Sequence, residues 1–412
     1  MKNSRFNLLF YIGLFILFYQ PPILPINTIH LVGIISIVYI CLFSSNRTGA
    51  IRRDRSIETI VFAFVLIMLY VTIFSIVINK GRITNIAFPL YFIFDVIPFA
   101  YAMKIYREKR QIRFEAILDM GTFVGVTQAV TAIMAFLVPS IQELFITLMI
   151  SYGYSSYSFE SLSSFRLYGF SPYLTFGTPV IQSVLAVFIL FFKEKKGIKD
   201  YVCAAVIFFS AIINARISII IILIGFFTLI VSRKVSFRKK IVDCVLYFIV
   251  LFGVVKIGTA FLKEYSPSTY EWIISGINEI EIALGLGNAD KYSYITYFTD
   301  KNTYRLPDNA WGIIFGEGIT VMTGTNAFNM NSDVGYINDI WLGGVLYVVL
   351  VYSLFIRMIT KIMRNCVPKY SQIGLFFLLL FPILNIKGIT FTMFSLSNYL
   401  IILYINLRDN DG

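Results

Sequence analysis

The 412 residues contain one histidine, His30, and four cysteines, Cys41, Cys203, Cys244 and Cys366. So sparse a set of soft ligands does not point to a zinc site. The first three cysteines lie in apolar runs and Cys366 in a basic loop, so no exported disulfide is implied. The usual metal-binding carboxylates are missing as well. Asp-x-Asp occurs only at Asp409 and Asp411, and Glu279 and Glu281, two apart, would not face each other on a helix. Neither a metal nor a cofactor is expected. Charged residues make up only 14% of the chain, against about 25% in soluble domains. No small-x-small cleavage site follows the first apolar run. Gln20-Pro21-Pro22 follows instead, so the start of the chain reads as an uncleaved span. No soluble domain, low-complexity tract or solenoid repeat is visible.

What is abundant is apolar sequence, 58% of the residues, more than one soluble core of this length can bury. It comes in recurring runs of about 20 residues, the length that crosses a bilayer as a helix. The expected fold is an all-α polytopic helix bundle, residues 1–412 forming one transmembrane domain. About twelve spans are expected, near 6–24, 27–43, 59–78, 86–106, 114–137, 173–192, 200–214, 217–232, 241–261, 337–358, 372–387 and 389–407. The formal net charge of +12 would raise the question of nucleic acid in a soluble protein. Here the charges cluster between apolar runs, so they report topology and no nucleic acid is expected. Of the 35 Lys and Arg residues, 25 fall on the side of the loops at 44–58, 104–113, 193–199, 233–240 and 357–369, with both termini. That side is read as cytoplasmic.

Two segments on the opposite side are long, 138–172 and 262–336. Long loops in compact proteins are usually functional or disordered. The second holds Trp272, Trp311 and a capping box, Ser268-x-x-Glu271, which predicts a helix near 269–284 and a folded external cap. The external arginines are Arg82, Arg166, Arg216 and Arg305. Arg216 interrupts two very apolar stretches. An arginine there faces protein, water or an anion, or it snorkels to the interface; both readings stay open. Arg166 begins Arg-Leu-Tyr-Gly-Phe-Ser-Pro-Tyr-Leu-Thr-Phe-Gly, ending at Gly177. Arg305 begins Arg-Leu-Pro-Asp-Asn-Ala-Trp-Gly-Ile-Ile-Phe-Gly, ending at Gly316. Both read Arg, ten residues, Gly. The same spacing also runs from Arg110 to Gly121, out of a cytoplasmic loop.

In these features the chain resembles the O-antigen polymerase family (Wzy-type), which has about twelve spans, two large periplasmic loops and an Arg-x10-Gly motif in each. The stretch Ser332-Asp333-Val334-Gly335-Tyr336-Ile337-Asn338, before Gly343-Gly344, is similar to that family's junction of loop and helix. The resemblance implies polymerisation of undecaprenyl-pyrophosphate-linked oligosaccharide repeats at the periplasmic face of a bacterial inner membrane, with both termini cytoplasmic. The implied partners are the lipid-linked oligosaccharide, membrane lipid and, as a candidate, a chain-length regulator protein.

The residues suit that chemistry. Arginine stays charged and can bind phosphate oxygens bidentately. Arg166, Arg216 and Arg305 are therefore candidates to hold pyrophosphate and, for Arg166 and Arg305, to stabilise charge as the glycosyl bond breaks. Gly177 and Gly316 would allow close backbone approach. A carboxylate must replace histidine as base; Asp308, Glu317, Asp333 and Asp339 qualify, and Asp333 is favoured because it lies where the long loop returns to the membrane. A solvated or helix-capping role stays open for each. Tyr168 and Tyr336 are candidate substrate contacts, with an interfacial aromatic belt as the alternative for the tyrosines generally. The acids Asp95 and Asp119, inside spans, are expected to pair with an arginine or with helix polar groups.

Three other classes compete. An O-antigen ligase-like transferase usually carries a histidine in its large external loop, and none is present here. A lipid-linked oligosaccharide flippase generally lacks a long folded external loop. A scaffold would have no turnover to lose. A polyprenol-phosphate glycosyltransferase is disfavoured because the first external loop, near 20–27, has no acid.

Overall fold

A computed structural model describes residues 6–22, 28–44, 54–78, 87–152, 166, 169–172, 176–193, 196–231, 237–283, 300–319, 321, 332–365, 370–388 and 394–407. It is helical, with no strand among the described residues. In order come α1 (Leu8–Tyr19), α2 (Thr28–Phe43), α3 (Arg55–Ile78) and α4 (Ala87–Tyr91). The last continues through a π-helical turn (Phe92–Val96) into α5 (Ile97–Arg110). Next are α6 (Glu115–Leu137), α7 (Pro139–Ser151), α8 (Gly177–Val187) with a π-helical end (Phe188–Phe192), α9 (Ile198–Asn214) and α10 (Ile217–Val231). The remainder are α11 (Phe237–Tyr265), α12 (Pro267–Ala283), α13 (Ala310–Phe315), α14 (Gly335–Asn365), α15 (Ser371–Leu384) and α16 (Phe394–Asn406).

The helix ends follow local chemistry. Gln20 takes a left-handed φ of 48° and closes α1 just before Pro21-Pro22. Gln111, at φ 52°, closes α5 after Arg107, Lys109 and Arg110, cations that suit a helix C-terminus. The Asp200 carboxylate accepts from the Gly197 N–H at 2.9 Å and caps the start of α9. Pro267 opens α12, where a missing N–H costs nothing, so this helix begins two residues earlier than the capping box predicts.

The exterior is apolar. Leu8, Leu9, Ile34, Phe62, Leu69, Ile73, Val349 and Ile356 are all exposed. Among the described residues four helices are long and apolar enough to cross a membrane: Arg55–Phe74, Phe88–Arg110, Glu115–Leu137 and Gly335–Arg364. Leu8–Tyr19, Thr28–Phe43, Gly177–Phe192, Ile217–Val231 and Ser371–Leu384 are shorter apolar helices. The chain is thus an all-helical membrane protein, and each of the twelve apolar segments of the sequence contains a helix. The segment read as the first external loop begins instead with a helix, α7, which packs back on α6 through extended Val138.

Every side chain from Gly177 to Phe192 is buried, as are those described in α16. Polar groups in this centre find partners in the backbone. Asn398 donates to the Leu17 carbonyl at 2.8 Å, and Asn406 to the Ala100 carbonyl at 3.0 Å. The acids inside spans are paired, though not with arginine: Asp95 with His30 at 2.8 Å and Asp119 with Lys193 at 2.8 Å. At the start of α3, burial would raise the Asp54 carboxyl, but the Lys104 ammonium outweighs it and holds that carboxyl below its ordinary value.

Helix α14 is not straight. The Tyr352 hydroxyl donates to Asp339 Oδ2 at 2.7 Å although the two are 13 residues apart. On a straight helix they would lie about 20 Å apart. The chain turns back at Gly344 (φ 71°, ψ −177°), where a Cβ would collide with the Ile314 carbonyl. Tyr70 steadies the turn by donating to the Gly343 carbonyl at 2.7 Å. Gly344→Ala is expected to destabilise the protein by about 2 kcal/mol or more, read as a lowered unfolding midpoint in detergent. Gly253→Ala, where a Cβ has nothing within 4 Å, is the control and should not lower it.

Candidate functional site

Arg216 stands in the break between α9 and α10, just after Ala215 turns extended (φ −156°, ψ 131°). Its guanidinium reaches across to α12. There Nη2 donates to the Trp272 carbonyl at 2.7 Å and to Ser275 Oγ at 2.6 Å. The same group lies 4.8 Å from the Trp272 ring centroid. It passes over Gly276, where a Cβ would collide with Arg216 Nε. Trp272, Ser275 and Gly276 fall on one face of α12 by helical spacing, three and four residues apart.

Arg166 joins this arrangement from a distant part of the chain. Its guanidinium lies 5.5 Å from the same Trp272 centroid. The two guanidinium carbons are therefore no more than about 10 Å apart. Two unit charges at that separation repel by roughly 2 kcal/mol at an effective dielectric constant near 20. The electron-rich indole face offsets part of this. An anion shared by the two cations would reverse the sign of the interaction, and both side chains are only partly buried.

The chain after Arg166 is tied into the bundle. Phe170 N–H donates to Gln128 Oε1 at 3.2 Å, and Thr178 Oγ1 to Ser171 Oγ at 2.6 Å. Gly177 opens α8 in the buried centre, with the Ser395 hydroxyl 3.4 Å from its carbonyl. Tyr168 lies outside the described residues.

The second Arg-x10-Gly segment folds differently. Arg305 pairs with Asp308 at 3.0 Å, its side chain 52% exposed, and its carbonyl accepts from Trp341 Nε1 at 2.9 Å. Gly316 ends α13 at φ 81°, where a Cβ would come within 2.6 Å of the Gly343 backbone. This segment thus packs on the turned-back part of α14. The structure brings Arg166 and Arg216 together at Trp272 and holds Arg305 at its own carboxylate.

The carboxylates also divide. Asp333 is partly buried, just ahead of α14. Asp339 is 1% exposed, and its Oδ2 accepts from Tyr352 and from Asn385 Nδ2 at 3.2 Å. The Asn385 carbonyl in turn accepts from the first backbone N–H groups of α14, Gly335 at 2.8 Å and Tyr336 at 3.3 Å. Asp339 is therefore sealed into the joint between α14 and α15. The Tyr336 hydroxyl is engaged there too, donating to the Pro382 carbonyl at 3.0 Å.

Comparison with models of protein families, with curated proteins and with solved structures gives no match. The chemistry of the site carries its own reading. Two guanidiniums beside an indole are chemically suited to phosphate oxygens, and the Ser275 hydroxyl holds Arg216 in place while donating to the Trp272 carbonyl at 2.9 Å. Sequence reasoning passed over Trp272 and Gly276 as site residues. Their only signal was the spacing with Ser275 on a helix near an external arginine.

Inorganic pyrophosphate is expected to raise the unfolding midpoint of the purified protein, by about 2.7 kcal/mol at 100 times its Kd. Gly276→Ala displaces the end of Arg216 from its contacts on α12 and is expected to abolish that protection. A second expectation separates the two acids. Asp339→Ala leaves Tyr352 and Asn385 without their acceptor and should cost about 1–3 kcal/mol, more than Asp333→Ala, whose carboxylate is only partly buried.

Proposed function

We propose that this protein polymerises lipid-linked glycan repeats at the outer face of a bacterial inner membrane. In this reading the chain crosses the membrane about twelve times with both termini in the cytoplasm, and 262–336 forms an external cap. The observation that carries the proposal is the meeting of Arg166 and Arg216 on Trp272.

The donor is a glycan joined through its anomeric carbon to undecaprenyl pyrophosphate. The bond from that carbon to the pyrophosphate oxygen breaks, and a new bond forms to a hydroxyl of the next lipid-linked repeat. The leaving group departs as undecaprenyl pyrophosphate, and the hydroxyl proton passes to a carboxylate. Arg166 and Arg216 bind the diphosphate and stabilise the negative charge that grows on it as the bond breaks. Permanently charged guanidiniums need no protonation step, and their planar fork binds two phosphate oxygens at once by paired hydrogen bonds. Arg305, held by Asp308 in the free protein, is the third cation available. Asp333 serves as base: it keeps access to solvent, whereas Asp339 is sealed in packing. The glycosyl–pyrophosphate bond supplies the energy, so no nucleotide is required.

Arg166→Ala and Arg216→Ala are each expected to lower polymerisation about 100-fold or more, the scale of losing one transition-state donor. Gel analysis of surface glycan should then show single capped repeats and no ladder, at normal protein abundance. Arg305→Ala should act in the same direction more weakly. Long ladders retained in both Arg166→Ala and Arg216→Ala would overturn the proposal.

A further inference from the structure

A cleft of about 350 Å³ lies well away in sequence from the arginine pair, between the last turns of α3 and the whole of α13. Its wall is a run of nearly parallel rings. Phe315 stacks on Phe74 with centroids 4.7 Å apart and planes at 15°, and on Trp311 at 5.2 Å and 18°. Trp311 is 71% exposed, so much of the indole is open to a ligand.

Beside the rings is a fixed carboxylate. Glu317 Oε1 accepts from Asn309 Nδ2 at 3.0 Å, and Asn309 Oδ1 accepts from the Gly312 N–H at 2.6 Å. Gly312 is part of the device, because a Cβ there would collide with Glu317 Oε1. The second carboxylate oxygen makes no hydrogen bond among the described residues, and no lysine or arginine described pairs with this acid. The peptide around it is pinned as well, since the Glu317 N–H donates to the Trp341 carbonyl at 2.7 Å.

The geometry points to a saccharide-binding subsite, in which a neutral pyranose lies flat on Trp311 and donates hydroxyls to Glu317. Concave, mostly apolar sites with a few fixed polar groups are where small molecules bind, and this volume fits one ring or two. Two rivals fit less well. A quaternary ammonium is recognised by ring faces that surround it, and these planes are parallel within 18°. A phospholipid headgroup brings a phosphate, which the unpaired carboxylate repels. The flat apolar face and hydroxyl rim of a sugar match both halves of the cleft. The inference deepens the polymerase reading and rests on it for its meaning: the ring bound here would belong to the glycan, at a distance from the pyrophosphate held by Arg166 and Arg216.

The test is binding without turnover, so it stands apart from the ladder assay. Full-length protein in nanodiscs is examined by saturation-transfer NMR with methyl β-glucoside and N-acetylglucosamine as probes and choline as the competing cation. Transfer to the ring protons of at least one sugar is expected, falling at least about fivefold in Trp311→Ala and in Glu317→Gln. Both side chains are at the surface, and unfolding midpoints confirm that the variants fold. In parallel, lipids brominated along their chains are expected to leave Trp311 emission unchanged. No transfer to either sugar, transfer undiminished in Trp311→Ala, or transfer to choline alone would overturn the inference. So would strong quenching of Trp311 by the brominated lipids, which would mark the ring as a bilayer anchor. Loss of ladders with no sugar transfer would sink this subsite alone, and sugar transfer with intact ladders in the arginine variants would sink only the polymerase reading.

Discussion

Two guanidinium groups lean on one indole ring, and the candidate site depends on that contact. A charge near the hydrocarbon boundary is costly unless it finds protein, water or a counter-charge. Arg216 meets this need through a carbonyl, a hydroxyl and the face of Trp272, all supplied by α12. Arg166 adds a second positive charge to the same ring. Two cations gathered on one face favour an anion that can bridge them. The helix that carries Trp272 is thereby a structural lid on Arg216 and the floor of the arrangement as well.

The rest of the bundle separates polar work from apolar packing. Asp95 and Asp119 find partners close at hand, Asp95 in His30 and Asp119 in Lys193. Asparagines in the centre bind backbone carbonyls of neighbouring helices. These contacts fasten helices to one another where apolar packing alone gives no preference over lipid. Asp339 does similar work at the joint between α14 and α15, drawing Tyr352 and Asn385 together. It is a positioning group, whereas its neighbour Asp333 is only partly buried.

The helices were legible in the sequence because runs of apolar residues of bilayer length have few alternatives. Many helix ends fall within about a turn of the expected bounds, whereas the helix expected to end at 358 runs on through its basic cluster to Asn365. What escaped was the behaviour of segments that contain helix but do not read as spans. Residues 139–151 form a helix that contacts α6, inside the long segment 138–172 that the sequence marks only as lying between spans. The turn at Gly344 escaped for another reason. Gly343-Gly344 sits inside an apolar run that reads as one span, and only contact with Ile314 and Phe315 makes a positive φ necessary. At the site, Arg166, Arg216 and Arg305 stood out as external arginines. For the first two the partners did not, since Trp272 and Gly276 acquire meaning as site residues only once helices from distant parts of the chain are laid side by side; Asp308, three residues from Arg305, was visible as a candidate base. The two Arg-x10-Gly segments also look alike as text and fold onto different surfaces, because spacing fixes neither the neighbour nor the direction of approach.

The complete burial of Gly177–Phe192 bears on how the protein is made. A segment with no face toward lipid cannot reach its final surroundings by entering the membrane alone. Its neighbours include α9, α10, α15 and α16, all synthesised after it. During translation it must therefore wait in a provisional environment, against lipid or an insertion factor, until α16 closes the centre. Biogenesis of this bundle closes at its middle, with α16 as the keystone.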